Sequence, residues 1–128
     1  MDKIVYIALG GSIGAVSRYL VSAASQKYLS SIAPWGTFIV NVSGCFIIGF
    51  LWSFVEERII SPNVRLFLFT GVLGGYTTFS SFGLETFNLL RDGEMRLGVM
   101  NVLMSVVLGI GCVFLGYVLG RVMIKAVR

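Results

Sequence analysis

Four long apolar segments dominate the sequence and restrict the folds that the chain can adopt. They cover residues 4–24, 36–55, 65–90 and 97–120. A membrane-spanning helix needs about 20 predominantly apolar residues, so each segment is long enough to cross a bilayer. Pro34 and Pro62, the only prolines, lie in the short links, where a missing N–H is tolerated. The pattern predicts an all-α integral membrane protein that forms a single four-helix domain over residues 1–128.

The composition and the charges agree with a membrane protein. Charged residues make up 12% of the chain, about half the share typical of soluble domains, and the mean hydropathy is +0.89. No cleavable signal peptide is expected, because the first segment continues without an obvious cleavage site.

Four spans place both termini on one side of the membrane. Basic residues then number six on that side and three on the other: Lys3, Arg58, Arg65, Arg121, Lys125 and Arg128, against Lys27, Arg91 and Arg96. This ratio weakly favours cytoplasmic termini and is also compatible with insertion in both orientations.

The third segment contains the strongest local signal. Gly74 and Gly75 precede a run of hydroxyl residues, which is weak helix material, so the helix is expected to be broken over residues 74–78. Non-helical backbone at membrane depth is tolerated only inside protein or beside a cavity. The end of the first half-helix would offer carbonyl oxygens to a cation, and the start of the second would offer N–H groups to an anion. A simple glycine-rich kink with back-bonded hydroxyls is the alternative.

Phe79 and Phe82 fall in the first turn after this break. An aromatic ring has a positive edge, so rings presented edge-on can stabilise an anion weakly. As ordinary membrane phenylalanines they would instead face lipid or pack against other helices. Their hydroxyl-rich neighbours favour the anion interpretation, because such a segment makes a poor lipid face.

Several polar residues lie at membrane depth, where each needs a partner or a purpose. Arg18 is either an interfacial anchor or a cation at the mouth of an anion pathway. Glu85 is the one carboxylate deep in a span; a coupling acid, a salt-bridge partner and a group near the membrane surface are its alternatives. Asn41 shares a helix face with Thr37, and Asn101 shares one with Ser105. These stripes either join helices by hydrogen bonds or line a polar path.

Other features argue against a metal site or an enzyme and indicate close packing of the helices. Cys45 and Cys112 are isolated in apolar spans, and the chain has no His. A thiolate metal site or a Cys/His nucleophile pair therefore lacks its parts, and an enzyme is not expected. Three small-residue pairs, Gly10/Gly14, Gly71/Gly75 and Gly116/Gly120, indicate flat helix faces that pack tightly. Four helices enclose too little volume for a pore of their own, so a homodimer is expected.

Three stretches together resemble one family. The sequences GGSIGAVSRY, WGTFIVNVSGCFIIG and TGVLGGYTTFSSFGLET are similar to those of the Fluc (CrcB-like) fluoride channels. The resemblance implies a channel in the cell (inner or plasma) membrane that passes fluoride out passively and so protects the cell from fluoride. It also implies an antiparallel, dual-topology homodimer with two pores at its interface. The span-four portion is less similar, since some relatives place other residues where Asn101 and Gly109 stand.

The resemblance also implies roles for individual residues. The edges of Phe79 and Phe82 would face fluoride, and Asn41 would project toward the same pathway. Main-chain carbonyls of Gly74 and Thr77 from both subunits would hold a structural Na+. Arg18 would lie near the aqueous vestibule, and Glu85 has a less settled role. Hydroxyl residues would line the pathway: Thr78, Ser80, Ser81 and Ser105.

Two other classes of membrane protein compete with this interpretation. A small four-helix multidrug exporter is also dimeric, but it needs a carboxylate in its first span to couple protons to cationic drugs, and this chain has Arg18 there. A non-transporting scaffold subunit would explain the glycine faces but leaves the hydroxyl and phenylalanine segment without a role.

Overall fold

Helices account for the described part of the chain, with no strand among residues 2–29 and 32–127 of the computed structural model. Three of the helices are long and apolar enough to cross a membrane: α1 (Asp2–Tyr28), α2 (Trp35–Glu56) and α6 (Met95–Val127). Each extends beyond the predicted apolar segment at both ends, by one residue for α2 and by as many as seven for α6. The all-α, multi-pass architecture predicted from the sequence is confirmed.

The third span is built from pieces and not from one helix. Its first half joins α3 (Pro62–Arg65), a π-helical segment (Leu66–Leu73) and α4 (Gly74–Tyr76), and its second half is α5 (Phe79–Arg91). Only Thr77 and Thr78 between them are extended, with φ/ψ of −77°/154° and −148°/116°. The predicted break over residues 74–78 is therefore too long: Gly74 and Gly75 remain helical in α4, and Gly75 packs closely against the backbone of α1 at Gly11.

Glycine contacts bring the helices together in two pairs. A Cβ added to Gly10 of α1 would lie 3.0 Å from the Cα of Gly71, so these backbones nearly touch. On the other side of the molecule, a Cβ added to Gly116 of α6 would overlap the Phe46 carbonyl oxygen of α2. Close backbone approach at small residues is the usual basis of helix association in lipid. The three glycine pairs predicted to form flat faces do so.

Apolar side chains are divided between a small core and a large lipid-facing surface. The buried hydrophobic residues are Val40, Leu73, Leu89 and Ile124. Many large apolar residues of α1 and α6 are exposed, including Ile13, Ile110 and Phe114. Such a surface is unfavourable in water and ordinary in a bilayer, since lipid tails are as apolar as these side chains.

The glycine contacts predict unequal effects of the smallest possible substitution. Gly116→Ala should lower the thermal stability of the detergent-solubilised protein, because the new methyl group meets the backbone of α2; overpacking of this kind costs about 1–3 kcal/mol. Gly111→Ala on the same helix is the matched control, since its Cβ would meet nothing within 4 Å. Equal melting temperatures for the two variants would contradict the packing described here.

Candidate functional site

The amide of Asn41 bridges the break in the third span. Its Nδ2 donates to the carbonyl oxygen of Thr78 at 3.0 Å, and its Oδ1 accepts from the Thr78 N–H at 2.8 Å. The side chain thus pairs with the extended peptide much as a neighbouring β-strand would. Asn41 is placed for this by α2, whose buried Val40 and Gly44 fix the same helix face against the interior. The polar groups of Thr78 are satisfied inside the protein despite the missing helix.

The break diverts the helical donors of two carbonyl groups, one through this pairing and the other through the Thr78 hydroxyl. In a continuous helix the Gly74 carbonyl would accept from the Thr78 N–H, which here donates to Asn41. The Thr77 carbonyl would accept from the Ser81 N–H, which here donates to the Thr78 Oγ1 at 3.2 Å. The break therefore leaves both carbonyl oxygens without their helical partners, and these are the two carbonyls predicted to hold Na+.

Oxygen ligands of this kind fit a hard monovalent cation. Unwound backbone carbonyls are the groups that coordinate Na+ in discontinuous membrane helices. No cluster of His, Cys, Asp or Glu within the described residues is suitable for a metal ion, so a divalent or soft metal finds no matching donor set there. The Thr77 hydroxyl is not free for such a role, because it donates to the Leu73 carbonyl at 2.9 Å; this one hydroxyl back-bonds as the kink alternative expects.

Thr78 also caps the second half-helix. Its Oγ1 accepts from the Ser81 N–H and lies 3.1 Å from the Ser81 Oγ and 3.3 Å from the Ser80 Oγ. An N-terminal hydroxyl that accepts from the backbone three residues later is a standard helix cap. The cap starts α5 directly after the break and orients its positive end toward the break.

An open cavity of about 400 Å³, here called the break groove, lies beside these residues. Phe79 and Phe82 form one wall, with their ring centroids 5.5 Å apart and their planes inclined at 47°. Phe79 is 83% exposed in the single chain, so its ring projects away from the bundle. Seven of the residues predicted for the site line this groove: Asn41, Gly74, Thr77, Thr78, Phe79, Phe82 and Ser105.

A second cavity of about 690 Å³, the polar cavity, collects the remaining predicted residues. Arg18, Ser80, Ser81 and Glu85 line it, and Thr78 lines both cavities. Thr37 donates to the Glu85 Oε1 at 2.6 Å, while the buried Oε2 has no hydrogen-bond partner among the described residues. The two cavities thus meet at the break. The Arg18 side chain lies in the polar cavity, and the rings of Phe79 and Phe82 lie in the break groove.

The two polar residues of α6, Asn101 and Ser105, have different roles. The sequence left open a helix–helix contact and a polar path, and each residue corresponds to one of them. Ser105 lines the break groove. Asn101 instead donates to the Thr86 Oγ1 at 2.9 Å, and that hydroxyl donates to the Phe82 carbonyl at 2.8 Å. Asn101 therefore joins α6 to α5, as a helix–helix contact. Thr86 was missed at the sequence level, although its position four residues after Phe82 on α5 is a detectable signal.

Comparison with known proteins gives a consistent family assignment. The model of the CrcB-like protein, Camphor Resistance (CrcB) family matches residues 5–117. A protein named fluoride-specific ion channel FluC from Parabacteroides distasonis is 45% identical over 128 residues, which cover all of both chains. Relatives with the same name from Agrobacterium fabrum and Nitrosococcus oceani are 47% and 39% identical over 122 residues, 94% of this chain and 98% of each relative. Their names describe ion channels and not enzymes.

The match extends across all four spans, including the fourth, where the resemblance of motifs was weakest. The chain therefore belongs to the CrcB-like family of membrane proteins.

Proposed function

We propose that this chain forms a fluoride-selective channel that passes fluoride passively out of the cell and so limits fluoride toxicity. The observation that carries the proposal is the break groove, where two phenylalanine rings adjoin a capped helix N-terminus and an amide. Family relatives named as fluoride-specific ion channels support the choice of anion. Flux along this route would follow the electrochemical gradient of fluoride.

Each contact along the route replaces part of the water around the anion. Arg18 supplies a positive charge to the polar cavity, whose lining also includes the carboxyl groups of Glu85 and Asp92, and its guanidinium would attract anions to its own part of the cavity. Ser80 and Ser81 supply hydroxyl donors near the positive end of α5, which favours a negative charge. The edges of Phe79 and Phe82 then offer weak attraction. Conduction requires binding that is favourable enough for entry and weak enough for release, and ring edges meet both conditions better than a fixed cation would.

The functional unit we propose is an antiparallel homodimer with two pores. The break groove of one chain is open along one side, and Phe79 projects out of it. A second copy, related by a two-fold axis in the membrane plane, would close the groove and contribute its own rings. The charge distribution of six basic residues against three does not forbid insertion in both orientations.

A structural Na+ at the dimer centre belongs to the same proposal. The carbonyls of Gly74 and Thr77 have lost their helical donors. Two breaks that meet at a two-fold axis would present four such oxygens to one ion. The cation would interact favourably with these carbonyl dipoles. It would also link the two subunits at the breaks, where the helical hydrogen bonding is interrupted.

Replacing one ring tests the anion pathway. Phe82→Ile should reduce fluoride efflux from liposomes about tenfold or more, since removing roughly 1.4 kcal/mol of stabilisation changes a rate or binding constant by a factor of ten. Phe87→Ile is the matched control, because Phe87 is exposed on the outer face of α5 and away from the groove. A fluoride electrode measures efflux, and a chloride electrode should show none in either variant. Unchanged fluoride efflux in Phe82→Ile, or equal chloride efflux in the unsubstituted protein, would refute the proposed pathway.

Removing one half of the amide bridge tests the break. Asn41→Asp keeps an acceptor for the Thr78 N–H but loses the donor to the Thr78 carbonyl and adds a negative charge. Fluoride efflux should fall by about tenfold or more, because a lost hydrogen bond to a buried group costs about 1–3 kcal/mol and the carboxylate repels the anion. Asn41→Leu removes both bonds without a charge and should also reduce efflux. Wild-type efflux in Asn41→Leu, with normal elution on gel filtration, would contradict a role for the bridge.

Removing sodium tests the cation site. Protein purified throughout in N-methylglucamine should melt at a lower temperature than protein in Na+, and its dimer should dissociate more readily. A ligand at about 100 times its Kd stabilises the folded state by about 2.7 kcal/mol, which is a shift of several degrees. The control is Gly83→Ala, where a Cβ meets nothing within 4 Å; it should keep the full sodium response. A melting temperature that is independent of Na+ from the start of purification would exclude the site.

A further inference from the structure

A basic cleft of about 670 Å³ lies at the end of the bundle opposite Arg18. It is formed by the start of α1, the link after α2 and the start of α3. Three basic residues line it, Lys3, Arg58 and Arg65, and the rest of its wall is largely apolar and includes Leu66 and Phe69. The proposed fluoride route makes no use of these three cations.

The two carboxylates at the end of α2 have partners outside the cleft. Glu56 accepts from the Trp52 Nε1 at 3.0 Å and from the Tyr117 hydroxyl at 2.8 Å, and Glu57 pairs with Arg121. No Asp or Glu lines the cleft. Within residues 2–29 and 32–127, neither ion pair of the structure involves a cation of the cleft. The lining of the basic cleft therefore carries three positive charges and no carboxylate.

Two of the three basic residues have distinctive local surroundings. Arg58 has a φ of 57°, a left-handed conformation that is uncommon for a residue other than glycine, and it turns the chain between α2 and α3. The Arg65 guanidinium lies 5.1 Å from the centre of the Trp52 ring, a cation–π distance. Trp52 is partly exposed on α2 near its end, as expected for an aromatic residue at the membrane interface.

We propose that the basic cleft binds the phosphate of an acidic phospholipid. Basic pockets between transmembrane helices bind acidic lipid headgroups, and the three cations here supply the matching charge. The apolar wall at Leu66 and Phe69 is the reason for choosing a lipid over a free anion, because it offers an acyl chain a surface directly below the phosphate. A lipid bound here would tie α1 to the first half of the broken span.

Native mass spectrometry of the intact detergent-solubilised protein tests this proposal. The protein is mixed with phosphatidylglycerol, and retained lipid is counted for the wild type and for a variant that combines K3Q, R58Q and R65Q. Each basic residue near an acidic lipid is worth a factor of about five in affinity, so the triple variant should bind on the order of a hundredfold more weakly. The matched control combines K27Q, R91Q and R96Q, which changes the net charge equally at the other end and should retain the lipid.

Further measurements distinguish a bound lipid from other anions that the three basic residues would attract. Phosphatidylcholine should be retained poorly by all variants, and inorganic phosphate at millimolar concentration should leave phosphatidylglycerol bound. The single variant Lys3→Gln, at the exposed start of α1, should lose about fivefold in affinity and serves if the triple variant misfolds. Equal lipid retention in the cleft and control variants would overturn the proposal, as would displacement by inorganic phosphate.

The rival role of this cleft is a second entrance for fluoride, since Phe69 lines both the basic cleft and the break groove. In liposomes of phosphatidylcholine alone, the cleft variant should conduct fluoride like the wild type. A loss of flux there would assign the cations to anion entry and overturn the lipid site. Lipid retention is measured by mass spectrometry without any flux measurement, so the outcome of the lipid-binding test does not depend on the proposed channel function.

Discussion

The pair of hydrogen bonds between the Asn41 amide and the Thr78 peptide is the interaction on which the rest of the site depends. Lipid offers no hydrogen bonds, and each unsatisfied backbone group there costs several kcal/mol. A side chain that carries both a donor and an acceptor solves this problem for one extended residue. The same pair diverts the N–H on which the Gly74 carbonyl would otherwise depend. One amide therefore makes the break tolerable and also leaves the Gly74 carbonyl without its helical donor.

Asn41 can do this only if α2 stays in fixed register with the third span. Val40 is fully buried beside it, and a Cβ added to Gly44 would overlap the Thr77 side chain. The glycine contacts of α2 with α6, and of α1 with the first half of the third span, then leave the backbones little freedom to slide. Packing through small residues thus serves the site directly, since a shift of even one residue along α2 would separate the amide from the break.

The sequence predicts the architecture better than the details of the break. Apolar segments of about 20 residues have few alternatives to a membrane-spanning helix, so the three long helices and their approximate positions follow from hydropathy. The break was placed correctly but was drawn too long, because low intrinsic helix propensity does not by itself end a helix: Gly74 and Gly75 both stay in α4, where Gly75 contacts α1. The role of Asn101 could not be assigned from its helix face alone. The choice between a polar path and a helix contact depends on its distance to Thr86 on another helix, and sequence periodicity does not encode that distance.

A single chain leaves the two sides of the break unequally complete. The polar cavity meets the break through the Thr78 hydroxyl, whose partners lie within the chain. On the side of the break groove, the Gly74 and Thr77 carbonyls lack their helical donors, and Phe79 is 83% exposed. Lipid suits the phenylalanine ring but not the carbonyl oxygens, so this surface needs a polar ligand as well as an apolar cover. In the proposed assembly, a cation would answer the first need and a second copy of the chain would answer the second. Because both act on the same few residues, ion binding and assembly should be thermodynamically linked, each strengthening the other by the same factor.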